Sequence, residues 1–271
     1  MRRLAFLALA LLLPLPLFSA DASAGLITIV ASYNSPDGRQ VRGVAWDGAN
    51  IWSTTNSNGF SSTIFKHNND ATLSVNQNVG DPSSYTVGLQ WIGGTLWSVD
   101  NAGDRLVRHA ANPGSAAGTF SMNGRGDPED IAWDGTNIYA TNEGVLQRFS
   151  SAGGFLDEPF TFGPGDRGIT FVAGKLVHSF LDTLTIYDPS SFAVLDTVSL
   201  PSGFDARGLA YDGTHLWIAD TTNNQIHKAA LQLVQAPEPP SLAGLAVGLL
   251  GLGLIARRRR RDETAALTAG Q

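Results

Sequence analysis

Charged side chains recur at one position in this sequence of 271 residues, immediately ahead of a repeated apolar motif. Each copy of the motif also has an aspartate within the preceding seven residues. Guanidinium groups and carboxylates so placed could hold a sugar through paired hydrogen bonds, and carboxylates alone could hold a cation such as calcium. The residues ahead of the five motifs are Arg42, Val87, Glu129, Arg167 and Arg207, and the aspartates are Asp37, Asp81, Asp127, Asp166 and Asp205.

Two interpretations of these charges stay open. In the first, each aspartate caps a turn and each arginine pairs with it between neighbouring units, which needs no ligand. In the second, the loops converge on a ligand site, because connecting loops commonly carry binding residues. The candidate ligand-binding residues are then Arg42, Asp127, Glu129, Asp166, Arg167, Asp205 and Arg207.

Little in the sequence points to catalysis or to a cofactor. The chain has no cysteine, which excludes thiol nucleophiles, thiolate metal sites and disulfides. His67 and His109 occupy the same position in their units, which favours a structural role, and no HExxH or GxSxG spacing occurs. We assign no catalytic residue, metal ligand or cofactor and keep calcium open. The carboxylate cluster of Glu129, Asp127 and Asp130 is where an active site would be sought first.

The charge balance argues against one class of partner. Residues 25–235 carry 11 basic and 20 acidic side chains, a formal net charge of −9. Nucleic acid is excluded as a partner, because phosphate binding requires the opposite sign.

An internal repeat organises the middle of the chain. Its copies begin 45, 42, 38 and 40 residues apart, the period of a β-propeller blade, and contain all six tryptophans. Each copy reads as an apolar strand, a tight turn such as Asp47-Gly48, and a second apolar strand. The copies are Gly43–Trp52, Gly88–Trp97, Asp130–Tyr139, Gly168–Val177 and Gly208–Trp217.

Two further strands follow each hairpin, except that the fifth unit has no fourth strand of its own. The apolar segment Gly25–Tyr33 has the right character to supply it beside Gln225–Leu231. Closing a ring in this way removes the open sheet edges that an all-β chain must otherwise protect. The sequence therefore predicts an all-β, five-bladed propeller in which the N-terminal strand completes the last blade. A parallel solenoid is disfavoured, since Asp-Gly turns make antiparallel hairpins.

The repeat G-h-x-[WFY]-D-G-x-x-h-W resembles the NHL-type and related extracellular propellers across residues 25–234. The resemblance implies the propeller fold. It does not identify the function, because such propellers include lactonases, lyases, glutaminyl cyclases, lectins and proteins that serve only as scaffolds.

The N-terminus is typical of a secretory signal peptide. Arg2 and Arg3 precede an apolar run from Leu4 to Phe18, and an Ala-Ser-Ala sequence ends at Ala24. The alternative is a retained membrane helix, but the run is short for a span.

The C-terminus combines a proline-rich linker, an uncharged segment of sixteen residues from Ser241 to Ala256, and five arginines. A helix of that length is about 24 Å long, somewhat shorter than a bilayer core of about 30 Å. The arginines would hold the end of the chain in the cytoplasm, with the preceding domain outside. They are Arg257, Arg258, Arg259, Arg260 and Arg261.

This order of features resembles the PEP-CTERM sorting signal of exopolysaccharide-producing Gram-negative bacteria, with Pro237, Glu238 and Pro239 as the motif. The resemblance implies recognition by a membrane-embedded exosortase and release or anchoring at the cell surface. A plain single-span anchor is the alternative. Either interpretation predicts an exported chain.

The predicted organisation is a signal peptide, a propeller, a Pro-rich linker, a transmembrane helix with its arginines, and a cytoplasmic tail. For function, we expect a non-enzymatic, envelope- or matrix-associated protein that binds polysaccharide or another surface component. The alternatives are a lactonase- or lyase-type enzyme at the channel mouth and a protein-interaction platform. The segments are 1–24, 25–234, 235–240, 241–261 and 262–271.

Export is open to a direct test. An epitope-tagged full chain expressed in a Gram-negative host should be recovered in the envelope or the medium, because both ends carry export features. Recovery of the whole chain in the cytoplasm would contradict both terminal assignments.

Overall fold

A computed structural model describes residues 25–57, 60–69, 72–81, 83, 85–111, 114–165 and 167–233. The predicted signal peptide, the Pro-Glu-Pro motif, the C-terminal apolar segment and the arginine cluster lie outside these residues. Within the described part of the chain, no helix has the length and apolar character needed to cross a bilayer.

In the described part of the chain, twenty strands form five four-stranded antiparallel sheets, and four of these sheets each contain four consecutive strands. We call the sheets blades 1 to 5. The strands of blades 1 and 2 are β2 (Gln40–Trp46), β3 (Ile51–Ser57), β4 (Phe60–His67), β5 (Val75–Gly80), β6 (Thr86–Ile92), β7 (Thr95–Asp100), β8 (Arg105–His109) and β9 (Ala116–Ser121).

Blades 3 and 4 have the same layout, and blade 5 takes its outer strand from the start of the chain. Their strands are β10 (Pro128–Trp133), β11 (Asn137–Asn142), β12 (Val145–Ser150), β13 (Phe155–Thr161), β14 (Ile169–Val172), β15 (Lys175–Phe180), β16 (Thr183–Tyr187), β17 (Val194–Ser199), β18 (Ala206–Tyr211), β19 (Leu216–Asp220), β20 (Gln225–Gln232) and β1 (Leu26–Asn34).

The predicted closure of the ring is confirmed. Strand β1 pairs antiparallel with β20, from Leu26 opposite Gln232 to Asn34 opposite Gln225. A bulge between Ile29 and Ala31 shifts the register within this ladder. Because the first and last strands of the described chain pair in one sheet, the five-bladed propeller predicted from the repeat is closed.

The hydrophobic core lies between the blades. In the described residues there are five buried clusters, and each contains residues from two neighbouring blades. One of them joins blade 5 to blade 1. The inner strands β2, β6, β10, β14 and β18 contact one another in sequence around the axis. Blades that bury both faces explain why the inner strands are continuously apolar.

The hairpin turns explain the Asp-Gly-x-x-h-Trp signature. Asp47 Oδ1 accepts hydrogen bonds from the backbone N–H groups of Ala49 (2.8 Å) and Asn50 (2.6 Å). Its Oδ2 accepts from the indole Nε1 of Trp52 at 2.8 Å, and Asp212 and Trp217 repeat that contact at the same distance. The turns at these aspartates span four residues, so the carboxylate both caps the turn and orients the buried tryptophan.

Closure by β1 predicts different outcomes for two adjacent residues of that strand. Ile29 packs against the core between blades 4 and 5, whereas Val30 is 55% exposed. Ile29→Asp should lower the free energy of unfolding by about 2–4 kcal/mol, because it buries a charge without a partner, and Val30→Asp should change it by less than about 0.5 kcal/mol. Chemical denaturation measures both. Equal effects of the two substitutions would mean that β1 does not complete blade 5.

Candidate functional site

The inner strands of all five blades begin at the same end of the central axis, which we call the mouth. The structure gathers five of the charged residues singled out in the sequence there. Three arginines and two carboxylates belong to this group, which we call the mouth cluster: Arg42 on blade 1, Glu129 on blade 3, Arg167 at the start of blade 4, and Asp205 and Arg207 at the start of blade 5.

Arg207 links the cluster across the axis. Its Nη1 lies 3.3 Å from Oε2 of Glu129, although blades 5 and 3 are not neighbours in the ring. Its Nε donates to Asp205 Oδ2 at 2.8 Å, and Arg167 Nε donates to Asp205 Oδ1 at 3.3 Å. These four side chains are between 14% and 20% exposed, so their ion pairs are shielded from bulk water.

Arg42 completes the cluster without an ion pair of its own in the described residues. Its Nη2 donates to Gln40 Oε1 at 3.1 Å, and its guanidinium carbon lies 6.0 Å from the ring centre of Tyr85. Its Nε is buried and has no hydrogen-bond partner in the described part of the chain. Burial and the neighbouring charge of Arg207 lower the pKa of Arg42. A buried donor of this kind is costly unless something accepts from it.

The charges of the cluster act on one another. Burial raises the pKa of Glu129, while Arg207, Arg167 and Arg42 oppose that rise. Burial opposes the charge of Arg207, but Glu129 and Asp205 outweigh it and raise the pKa of that arginine. The cluster itself contains three guanidinium groups and two carboxylates, and the charge of nearby Asp127 also acts on Glu129 and supports the rise of its pKa.

Directly beneath the cluster, Asp130 occupies a position that is glycine in the other four repeats. It is fully buried, and its Oδ2 accepts from the backbone N–H groups of Ile169 at 2.9 Å and Leu209 at 3.2 Å. Its Oδ1 has no partner among the described residues. Burial raises the pKa of Asp130 well above its ordinary value, although the backbone donors oppose this.

Asp127, Asp37 and Asp81 bond to groups outside the cluster, although the charge of Asp127 still acts on Glu129. Asp127 is exposed and accepts a 3.4 Å hydrogen bond from Asn101 Nδ2. Asp37 binds Arg39 Nε at 2.7 Å, and Asp81 accepts from the backbone of Ser83 at 2.9 Å. Asp166 lies outside the described residues. The interpretation without a ligand therefore fits Asp37 and Asp81, which cap their loops, and it fits the pairing of Arg167 with Asp205 between blades 4 and 5. The charged residues of the five units do not form a uniform ring.

Other repeated polar residues have structural roles. His67 Nε2 and His109 Nε2 lie 2.8 Å from the hydroxyls of Ser53 and Ser98, which confirms the structural role predicted for both histidines. After the hairpins, Asp100, Asn142 and Asp220 each accept from the backbone of the preceding inter-blade loop. Asn56, in the corresponding position of blade 1, has no hydrogen-bond partner for either amide atom in the described residues, so blade 1 lacks this contact.

Sequence reasoning missed Tyr85 and underrated Asp130. Tyr85 lies outside the motif, so no repeat signal marked it, whereas the replacement of glycine by Asp130 was visible in the alignment of the five units. No group of three or more histidine, aspartate or glutamate side chains among the described residues is arranged to hold a metal ion. The geometry of the mouth suits an anion, which the Nε of Arg42 could bind.

Known proteins resemble the chain in fold and differ in sequence. The glutaminyl cyclase of Myxococcus xanthus superimposes with a TM-score of 0.64 at 11% identity, over 78% of this chain and 99% of that one. A streptogramin B lyase has a TM-score of 0.44 at 17% identity, over 74% of this chain and 68% of the lyase. No protein-family model and no curated protein matches the chain. At such identities the cyclase supports the propeller fold alone.

Asp130 generates a prediction about pH. Because its pKa is higher in the folded chain than in the unfolded one, the folded state binds the extra proton, and stability falls as pH rises from about 4 to the folded pKa. The slope of that loss should approach about 1.4 kcal/mol per pH unit. Asp130→Asn keeps an acceptor for both backbone donors and should abolish this loss in denaturation curves measured from pH 4 to 8. A variant less stable than the wild type at pH 8 would show that the carboxylate is ionised in the fold.

Proposed function

We propose that this chain is an exported, envelope- or matrix-associated propeller that binds an acidic saccharide at its mouth without transforming it. The observation that carries the proposal is the Nε of Arg42, which is buried among the charged groups of the mouth and has no partner in the described residues. A carboxylate of a uronic acid would accept a hydrogen bond from that donor.

The surroundings of Arg42 favour a sugar over a simple anion. The ring of Tyr85 lies beside the guanidinium and offers an aromatic face on which a pyranose could pack. The ion pairs of Arg207 with Glu129 and Asp205 fix the opposite side of the mouth, so the site is held in place before the ligand arrives.

Export and anchoring enter the proposal from the sequence alone. The leader would carry the chain out of the cytoplasm, an exosortase-type enzyme would act at Pro237–Pro239, and the apolar segment 241–256 would hold the chain in the membrane before sorting. Calcium has no part in the proposed site, whose recognition depends on guanidinium groups. A platform for protein partners is less favoured, because the exposed apolar residues of the outer strands are spread over four blades.

Binding should be measured with oligogalacturonate and oligoglucuronate as probes. Arg42→Gln and Arg207→Gln should each weaken binding about tenfold or more, because each removes a charged hydrogen bond from a shielded site. The matched control is Arg148→Gln, which makes the same change in an ion pair with Asp157 on blade 3, away from the mouth. Affinity should also fall as salt rises.

No binding to either probe, or an equal loss in the Arg148→Gln control, would refute the binding site. Binding that is indifferent to salt would argue against carboxylate recognition by arginine.

A second candidate function, an acidic-polysaccharide lyase, is favoured by Glu129 alone. Burial raises the pKa of this carboxylate, as a general base requires, and three arginines beside it could neutralise a uronate carboxylate. The base would take the proton from the carbon next to the carboxylate, a carbon–carbon double bond would form, and the glycosidic oxygen would leave with a proton.

Ultraviolet absorbance separates the two functions. A lyase would convert oligogalacturonate into an unsaturated product, and Glu129→Gln would abolish the conversion while leaving binding in place. Binding without any new absorbance over prolonged incubation supports the non-enzymatic function proposed first.

A further inference from the structure

A cavity of about 230 Å³ lies at blade 4, next to the connection from blade 3. Its floor is formed by residues of β15 and β16, and one wall by Phe162–Gly165, which connects blade 3 to blade 4. Since Arg167 follows Gly165 by two residues, the same connection leads from the cavity wall to the mouth cluster. Both sites therefore lie at the end of the propeller that carries the inter-blade connections.

Two of the residues that line the cavity replace a pair found in blades 1 and 2. Blades 1 and 2 pair a serine on the second strand with a histidine on the third, as in Ser53 and His67. Blade 4 has His178 in the serine position and Tyr187 in the histidine position. The imidazole of His178 stacks on Phe162 with ring centres 4.0 Å apart and an angle of 3° between the planes.

His178 provides the unsatisfied polar group. Only 6% of the residue is exposed, it lines the cavity, and its Nε2 has no hydrogen-bond partner among the described residues. Burial lowers the pKa of His178 to about 3, so the imidazole is neutral at physiological pH and can exchange one hydrogen bond without bringing a charge.

The other lining groups define the class of ligand. Phe162, Phe180 and Tyr187 supply aromatic surface, while Thr183 and Thr185 supply hydroxyls. None of the described residues that line the cavity is charged. Aromatic faces combined with hydroxyl groups and a neutral imidazole suit an uncharged ring that carries several hydroxyls. The volume is smaller than that of a site for a drug-sized ligand and fits one ring of that size.

We propose that this cavity binds an uncharged pyranose, the neutral sugar of a saccharide whose acidic residue occupies the mouth. The part of the inference that joins the two sites rests on the function proposed above, whereas the neutral site stands on the contacts of blade 4. A heteropolysaccharide of charged and neutral residues is the class of ligand that both sites together would select.

The test uses the purified full chain and two sets of probes, titrated separately by saturation-transfer NMR. Methyl glycosides of glucose, galactose and mannose report on the cavity, and glucuronate and galacturonate report on the mouth. Thr183→Val should weaken binding of the preferred methyl glycoside about fivefold by removing a hydrogen bond. Phe180→Ala should weaken it about three- to tenfold by removing an aromatic wall.

The control for Phe180→Ala is Phe155→Ala. The two phenylalanines are 43% and 39% exposed, and Phe155 lies on the outer strand of blade 3. Both are at the surface, so neither substitution should prevent folding, and buried His178 is left intact. His178 is therefore followed by NMR without being substituted. The chemical shifts of its ring nitrogens should change when the glycoside binds, because Nε2 gains a hydrogen-bond partner.

Each outcome decides one proposal. Glycoside binding that Thr183→Val and Phe180→Ala weaken, that Phe155→Ala spares, and that shifts the His178 nitrogens supports the neutral site. The absence of glycoside binding, or binding unaffected by both substitutions, overturns it. Loss of uronate binding in Arg42→Gln with glycoside binding retained supports two separate sites. Failure of uronates to bind the wild type refutes the anion site at the mouth and leaves the neutral-sugar site of blade 4 standing.

Discussion

The five inner strands approach one another so closely around the axis that side chains are almost excluded from it. A Cβ atom added to Gly43 would lie 2.3 Å from the carbonyl oxygen of Val87, and one added to Gly208 would lie 2.6 Å from that of Arg42. Such distances are far inside van der Waals contact, so glycine is required at these positions. The contact between neighbouring backbones sets the diameter of the ring and brings the residues ahead of each glycine to one mouth.

Asp130 is the exception to the requirement for glycine, and it places a carboxyl group on the axis. Asp130 fills the space that Gly88 leaves, since a Cβ on Gly88 would lie 2.5 Å from Asp130 Oδ1. The backbone donors of Ile169 and Leu209 then bind the same aspartate oxygen, which joins blades 3, 4 and 5 at the centre. Immediately above it, Glu129 is held by Arg207 from across the axis. The ring closure, the axial carboxyl group and the charged mouth are thus consequences of one packing constraint.

Repetition made the fold predictable, and departures from repetition made the sites hard to predict. The blade count, the strand order and the donation of β1 to blade 5 follow from the period and from the need to cover sheet edges. The shared position of His67 and His109 correctly indicated a structural role. By contrast, the pairing of Arg207 with Glu129 joins residues 78 positions apart, and no local pattern encodes such a distance. Nothing in the local sequence marks His178, because its significance depends on the exchange of serine for histidine within blade 4.

The proposed anion site around Arg42 can be tested by a crystal structure of the chain with bound oligogalacturonate. A uronate carboxylate oxygen should lie within hydrogen-bonding distance of Arg42 Nε, with the pairs of Arg207 to Glu129 and Asp205 unchanged. A saccharide bound elsewhere on the propeller, with the Nε of Arg42 still lacking an acceptor, would contradict it.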